Sequence, residues 1–394
     1  MTFLVKEWMN AVKAVKRGGG KSMRKKAMIC IMLGICLLAG ILAGCGAKEA
    51  GSDTAKSGKV EDKYEIKLGY YNCDHMTAAC IAKDAGIFNE LGLKVNVTGN
   101  GEVPKAMAAG QMDCGYVGVT GLRLAYGKGA PVFVAANNHL GGSWYLVASN
   151  EIKDAKELVG KRVALDTNAH ETSLGWVNMA KSLGIPADIK AYQHYDMKDA
   201  DEYLAMKTGK LDGYTCCDPW GSMAEYEGTG HVLATDLRLP SGNWGVCCIY
   251  GMRQGFAKDH PELAKKMLLA HSRAIEYIYT HPAKAAKIFA ANYKVPEEVA
   301  FMTIYKKTVE EGRTLTWEMD QEGLEELFAT SRKEGIKQFL DYEHDPSFVN
   351  TSFMEQAGAD DFKQFIKSQV DPIFPEGMSY SEWKEKALAL DTIK

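Results

Sequence analysis

The stretch Ile66-Lys67-Leu68-Gly69-Tyr70-Tyr71-Asn72-Cys73-Asp74-His75 decides how the chain folds. A short β-type run ends in polar residues and passes directly into a helical pattern that reaches residue 84. The unit then repeats. β-type runs at 93–98, 113–117 and 131–136 alternate with helical segments, one beginning at Pro104 and one ending at Tyr126. Strands separated by helices need crossover connections, and these are right-handed, so the pattern predicts parallel pairing in an α/β sheet.

A second set of strands is expected after an apolar run at 144–148, at 162–166, 188–192, 213–217 and 232–235. Another apolar strand at 246–251 precedes three helical stretches, 261–290, 296–311 and 321–339. This order predicts two lobes, with 64–146 and 246–345 forming the first, 147–245 the second, and 346–394 a helical tail. The chain is expected to cross between lobes near 147–150 and near 239–245. The second crossing holds Pro240, Gly242 and Gly245, residues suited to setting backbone angles.

The N-terminal region reads differently. Arg24-Lys25-Lys26 precedes an apolar run from 27 to 43, and Leu42-Ala43-Gly44-Cys45 closes it. Basic residues, a short apolar segment and small residues before a cysteine describe a secretion signal over 1–44, with the mature chain lipid-modified at Cys45. Residues 45–63 are small and charged, without an apolar pattern, and are expected to form a flexible tether. Removing the leader leaves 39 basic and 49 acidic side chains, a net charge of −10. Such a chain has no electrostatic footprint for nucleic acid, so attachment to the membrane is assigned to the lipid.

Ligands of open α/β sheets bind where strands end and helices begin. Five such loops stand out, at 72–75, 117–120, 137–139, 167–172 and 217–220. They supply the candidate ligand-binding residues Cys73, Asp74, His75, Gly118, Thr120, Asn138, Thr167, Asn168, His170, Thr172, Asp218 and Trp220. The segments at 118–120 and 167–172 each precede a helix, whose free N–H groups favour an anion. Asp74, Glu171 and Asp218 would instead favour a donor or a cation, and Trp144, Trp176, Trp220 and Trp244 are candidates for stacking walls. Seven cysteines follow Cys45, an odd number that leaves at least one without a partner in the chain. Cys216-Cys217 and Cys247-Cys248 are adjacent on predicted strands, so each pair should offer a single thiol to any site, and no metal site is expected.

Several motifs in order carry a family resemblance. They are Ala82-Lys83-Asp84-Ala85-Gly86-Ile87-Phe88, Gly92-Leu93-Lys94-Val95, Ala108-Ala109-Gly110-Gln111-Met112-Asp113, Gly129-Ala130-Pro131-Val132, Glu157-Leu158-Val159-Gly160, Gly209-Lys210-Leu211-Asp212-Gly213, Asp218-Pro219-Trp220 and Asn350-Thr351-Ser352-Phe353. Over residues 64–355 the chain resembles solute-binding proteins of ABC importers, most closely their nitrate, sulfonate, taurine and thiamine-pyrimidine branch. The resemblance implies a two-lobed, type II periplasmic-binding-protein fold with a helical C-terminal extension. It also implies partnership with a permease and an ATPase, and a small anion or zwitterion of the sulfonate and taurine type as solute, with no cofactor and no catalysis. A thiamine-precursor pyrimidine is the alternative solute. An alternative of another class is an iron-dependent pyrimidine synthase, whose cysteine-rich stretch lies where Cys247-Cys248 stand here; only those two cysteines match.

Overall fold

The computed structural model describes residues 63–392 except 72, 100, 143, 166–172, 236–237, 337–338 and 341–342. The expected leader, Cys45 as the expected lipidation site and most of the expected tether lie outside these residues. So do Thr167, Asn168, His170, Glu171 and Thr172.

The alternating pattern folds into two five-stranded sheets. In lobe one β1 (Ile66–Tyr70), β2 (Val95–Gly99), β3 (Cys114–Gly118) and β4 (Val132–Leu140) arise in sequence. In lobe two β5 (Trp144–Ser149), β6 (Arg162–Ala164), β7 (Gln193–His194), β8 (Gly213–Cys217) and β9 (Gly230–Thr235) follow, and β10 (Val246–Arg253) returns to lobe one. The sheet orders are β2-β1-β3-β10-β4 and β7-β6-β8-β5-β9.

Pairs linked by helices, β1 with β2 and β3, and β6 with β7 and β8, are parallel. The strands that arrive from the other lobe run antiparallel. β10 pairs Cys248 with Gly118, at the end of β3. β5 pairs Trp144 with Cys217, at the end of β8. Both incoming strands therefore start at the cleft, where the parallel strands finish, and run away from it.

The first crossing is thus earlier than expected. β5 already pairs along Trp144–Ala148, so the chain changes lobe at Gly141 and Gly142 rather than at 147–150. Gly142 sits at φ +95°, and a Cβ there would come within 2.7 Å of the Glu311 carboxylate, so only glycine fits.

Other differences have local causes. The strand expected at 188–192 is a 3-10 turn, Ile189–Ala191, because the Asp188 carboxylate accepts from the Lys190 N–H and stabilises a turn. The helix expected at 261–290 is two helices, Pro261–Thr280 and Pro282–Tyr293. Pro282 cannot donate to the ladder and breaks the run. The helix expected at 321–339 stops at Lys333, and Gly335 adopts φ +73°. The helix Glu297–Tyr305 passes into a π-helical turn, Lys306–Glu310, that helical periodicity alone does not reveal.

Core packing follows the strand pattern. β4 is the edge strand beside β10, yet it is buried along Val132–His139, because later segments cover it, with bridges from Val134 to Val349 and from His139 to Leu315. The C-terminal tail is part of lobe one: Val349 forms a bridge to Val134. Trp383, 1% exposed, packs among Phe301, Tyr305 and Phe374 in edge-on and tilted ring contacts.

Candidate functional site

A cavity of about 440 Å³ lies where the two sheets direct their strand ends toward one another. Lobe one lines it with the turn after β1 (Tyr71, Cys73, His75, Met76), the turn after β3 (Gly118–Gly121) and the start of β10 (Val246, Cys247, Cys248). Lobe two adds Trp144, Cys217 and the helix start Ser173–Gly175, and Leu327, Ser331 and Phe339 come from the helix Gln321–Lys333 and the turn beyond it. Among the described residues the lining contains no Lys, Arg, Asp or Glu.

Two helices begin at this wall. The first, Val119–Gly127, starts from Gly118, which has extended backbone and no capping side chain. The second, Leu174–Leu183, starts from Ser173, whose hydroxyl accepts from the Trp176 N–H. Free N–H groups and the positive end of each dipole are therefore available to an anion.

The floor of the cavity is a cluster of thiols, imidazoles and one ion pair. Asp74 is fully buried, with its Oδ2 2.5 Å from Lys307 Nζ and its Oδ1 3.5 Å from His75 Nε2. The His75 ring stacks on His139 at 4.1 Å, and its Nδ1 lies 3.6 Å from both Cys247 and Cys248 Sγ. Lys307 Nζ also approaches His139 Nε2 at 3.2 Å.

Burial lifts the Asp74 carboxyl to about 7, against the pull of His75 and Lys307. Burial opposes charge on His75, but Asp74, Cys247 and Cys73 raise it well above its ordinary value. Burial, Lys307 and His75 together hold His139 well below its own. The thiols act in pairs. A hydrogen bond from Cys217 lowers Cys73 to about 5, with His75 assisting, and raises Cys217 in turn. Cys248 lowers Cys247 in the same way. A thiolate beside an imidazolium is a reactive or metal-binding state rather than an inert core thiol.

The structure divides the residues predicted from sequence. Cys73, His75, Gly118 and Thr120 line the cavity. Asn138 does not; its amide donates to the His75 carbonyl at 2.6 Å and holds the 73–76 turn in place. Asp74 lies behind the wall, engaged by Lys307. Asp218 is turned away and fully buried, accepting from Ser222 N–H at 2.8 Å, Ser222 Oγ at 2.7 Å and Thr303 Oγ1 at 3.3 Å. Trp220 packs against Tyr203 within lobe two, its ring 5.8 Å away.

Of the other tryptophans, Trp144 lines the cavity, while Trp176 is core, its indole N–H donating to the Ala187 carbonyl. Trp244 donates to the Glu311 carbonyl under the Arg238 guanidinium. Strand alternation holds for one cysteine pair: Cys216 faces the lobe-two core and Cys217 the cavity. It fails for the other. Register shifts at Cys248 bring the Cys247 and Cys248 sulfurs to 3.6 Å and onto one wall. Tyr71, Met76, Ser173 and Phe339 carry no sequence signal of their own, since each is an ordinary side chain beside a strand or helix end.

Residues 59–292, more than half of the chain, match the NMT1-like family. The chain belongs to that family. Within curated proteins, the 4-amino-5-hydroxymethyl-2-methylpyrimidine phosphate synthase THI11 of Saccharomyces cerevisiae is 25% identical over 57% of this chain and 70% of its own length. The taurine-binding periplasmic protein of Escherichia coli is 28% identical over 41% of this chain and 50% of its own. Among solved structures, the ligand-binding component of an ABC-type import system from Staphylococcus aureus, with zinc bound, superposes with a TM-score of 0.60 at 16% identity. That match covers 76% of this chain and all of the other. The two-lobed α/β architecture with extra C-terminal helices is therefore a periplasmic-binding-protein fold. No helix among the described residues is long and apolar enough to cross a membrane.

Proposed function

We propose that the protein is the solute receptor of an ABC importer, held outside the cytoplasm by lipid on Cys45, and that it passes a small organic anion or zwitterion of the sulfonate and taurine type to a permease driven by an ATPase. The observation that carries this reading is a single cavity walled by both lobes, with the helix starts at Val119 and Leu174 opening onto it. Solute touching both walls would stabilise the closed form by its differential affinity for that form. Helix N-termini suit the charged head of such a solute, and Val117, Val119, Trp144, Leu174 and Leu327 suit its organic part. Asp74 lies behind the cavity wall against Lys307 and Asp218 is turned to Ser222, so neither of these carboxylates lines the cavity to favour a cationic solute.

The test is thermal unfolding of the chelator-treated full chain with taurine, longer alkanesulfonates and a thiamine-precursor pyrimidine. A true solute raises stability by about 2.7 kcal/mol at a hundred times its Kd and is recovered unchanged. A response to the pyrimidine alone would move the solute class to the nitrogenous alternative. Recovery of an altered product would favour the enzyme reading, which Cys73 beside His75 and the yeast synthase relative support. Cys45→Ala should release the protein from membranes or leave it unprocessed; normal processing with full retention would remove the anchor from the proposal.

A further inference from the structure

We propose that Cys73, Asp74, His75 and Cys217 form a four-donor site for a borderline-soft divalent cation of the Zn2+ type, built from both lobes beneath the solute cavity. One donor atom from each of the four lies within 4.8 Å of the others. Bonds of about 2.3 Å to sulfur and 2.0 Å to nitrogen or oxygen place tetrahedral donors roughly 3.3–3.8 Å apart, so closing onto a cation needs shifts of about 1 Å. Cys73 and His75 are 4% and 2% exposed, and Asp74 is fully buried.

The carboxylate points to a missing partner. Lys307 neutralises Asp74 on its Oδ2 side, whereas Oδ1 is buried without a hydrogen bond, with His75 Nε2 standing off at 3.5 Å. A buried carboxylate oxygen left in that state is costly unless a cation completes it. Charge balance selects the valence. With His75 giving up its proton to ligate, two thiolates and the carboxylate carry three negative charges and Lys307 one positive, so a divalent ion leaves the buried group neutral. Donor chemistry selects the softness: two sulfurs and an imidazole disfavour Mg2+ and Ca2+, which take oxygen donors. The neighbouring trio His75, His139 and Cys247 also converges, but it offers only three donors and shares His75 with the four-donor set.

Cys217 sits at the end of β8 in lobe two, and the other three donors sit in the turn after β1 in lobe one. A bound cation would therefore tie the lobes together directly, independently of the solute reading.

The experiment uses the full chain, purified without oxygen in the presence of a reductant and stripped with a chelator. Zn2+ is titrated against a chromophoric competitor, and Co2+ is titrated as a spectroscopic substitute. The expected result is one equivalent of Zn2+ per chain and thiolate-to-cobalt charge-transfer absorption. Cys73→Ser and Cys217→Ser should each weaken Zn2+ binding at least about a hundredfold, the upper end of losses seen even for outer-shell changes. Cys80→Ala, which removes a buried thiol elsewhere, should bind as the parent does. In the parent chain Zn2+ should also protect Cys73 and Cys217 from alkylation, which reads the site without any variant. Binding below half an equivalent, absence of the charge-transfer band, or unchanged affinity in Cys217→Ser would overturn the site. Because solute binding is measured in chelator, loss of the metal site leaves the receptor reading standing, and the converse also holds.

Discussion

Asp74 and Asp218 each follow a strand at the cleft, one in lobe one and one in lobe two, and both are fully buried. Each faces a lysine from the same π-helical turn, Lys307 at 2.5 Å and Lys306 at 3.8 Å. Their surroundings differ. Asp218 is saturated by Ser222 and Thr303, and its lysine is shared with Glu225 at 3.0 Å. Asp74 has its lysine, His75 Nε2 at 3.5 Å and the Cys73 and Cys217 thiols nearby. The same pairing is thus a finished structural clamp in lobe two and an incompletely satisfied site in lobe one. The π turn also links the lobes, Lys307 reaching Asp74 in lobe one and Lys306 reaching Asp218 in lobe two, and the Asp74 N–H donates directly to the Asp218 carbonyl at 3.0 Å.

The largest expected effect tests that contrast. Lys307→Met strands a buried carboxylate and should cost about 3–5 kcal/mol in chemical unfolding, with Asp74→Asn in the same chain restoring much of the loss. Lys306→Met should cost less, about 2 kcal/mol, because Asp218 keeps its Ser222 donors. Equal losses in the two lysine variants would erase the distinction between clamp and site.

Trp220→Ala comes next. The ring is partly buried against Tyr203, so truncation should cost about 2 kcal/mol while leaving solute affinity unchanged, below the losses of fully buried tryptophans. A solute affinity that fell without loss of stability would return Trp220 to the cavity wall.

The pH dependence separates the two aspartates more finely. Asp74 titrates near 7 in the fold against an ordinary value near 3.8, so the folded state holds an extra proton between about pH 4 and 7. Stability from that proton is full below the lower value and is lost as pH rises through the upper one. His75, also raised, contributes with the same sign at higher pH. Relative to the parent, Asp74→Asn should therefore gain stability as pH rises from 4 to 7, by at most about 1.4 kcal/mol per pH unit. Parallel profiles for parent and variant would show that Asp74 is ionised throughout this range.

What could be read in the sequence follows from which contacts are local. The strands and their cleft-facing ends were legible because apolar runs and following helix starts are local signals. Four of the candidate residues, Cys73, His75, Gly118 and Thr120, do line the cavity for that reason. The roles of Asp74 and Asp218 were not legible. Their lysines lie more than eighty residues away in a π turn that reads as ordinary helix, and nothing in the loops distinguishes a carboxylate facing a cleft from one facing a lysine behind it. Cys216 and Cys217 obeyed strand alternation, whereas the irregular register of β10 defeated it at Cys247 and Cys248.

The smallest effect on stability gives the most direct test of where solute sits. Gly118 has φ −64° and ψ 136°, a conformation open to any residue, and a Cβ built there meets no atom within 4 Å. Gly118→Ala should therefore change stability by no more than about 0.5 kcal/mol, as surface substitutions do. The added methyl would nevertheless stand in the cavity at the start of the helix Val119–Gly127, between solute and the free N–H groups. Solute affinity should fall roughly tenfold, about 1.4 kcal/mol. An unchanged affinity would place the solute away from this helix start and leave Ser173 to Gly175 as the anion-facing wall. A large loss of stability would instead mean that the space beside Gly118 is filled in solution, and the helix start would then be closed to solute.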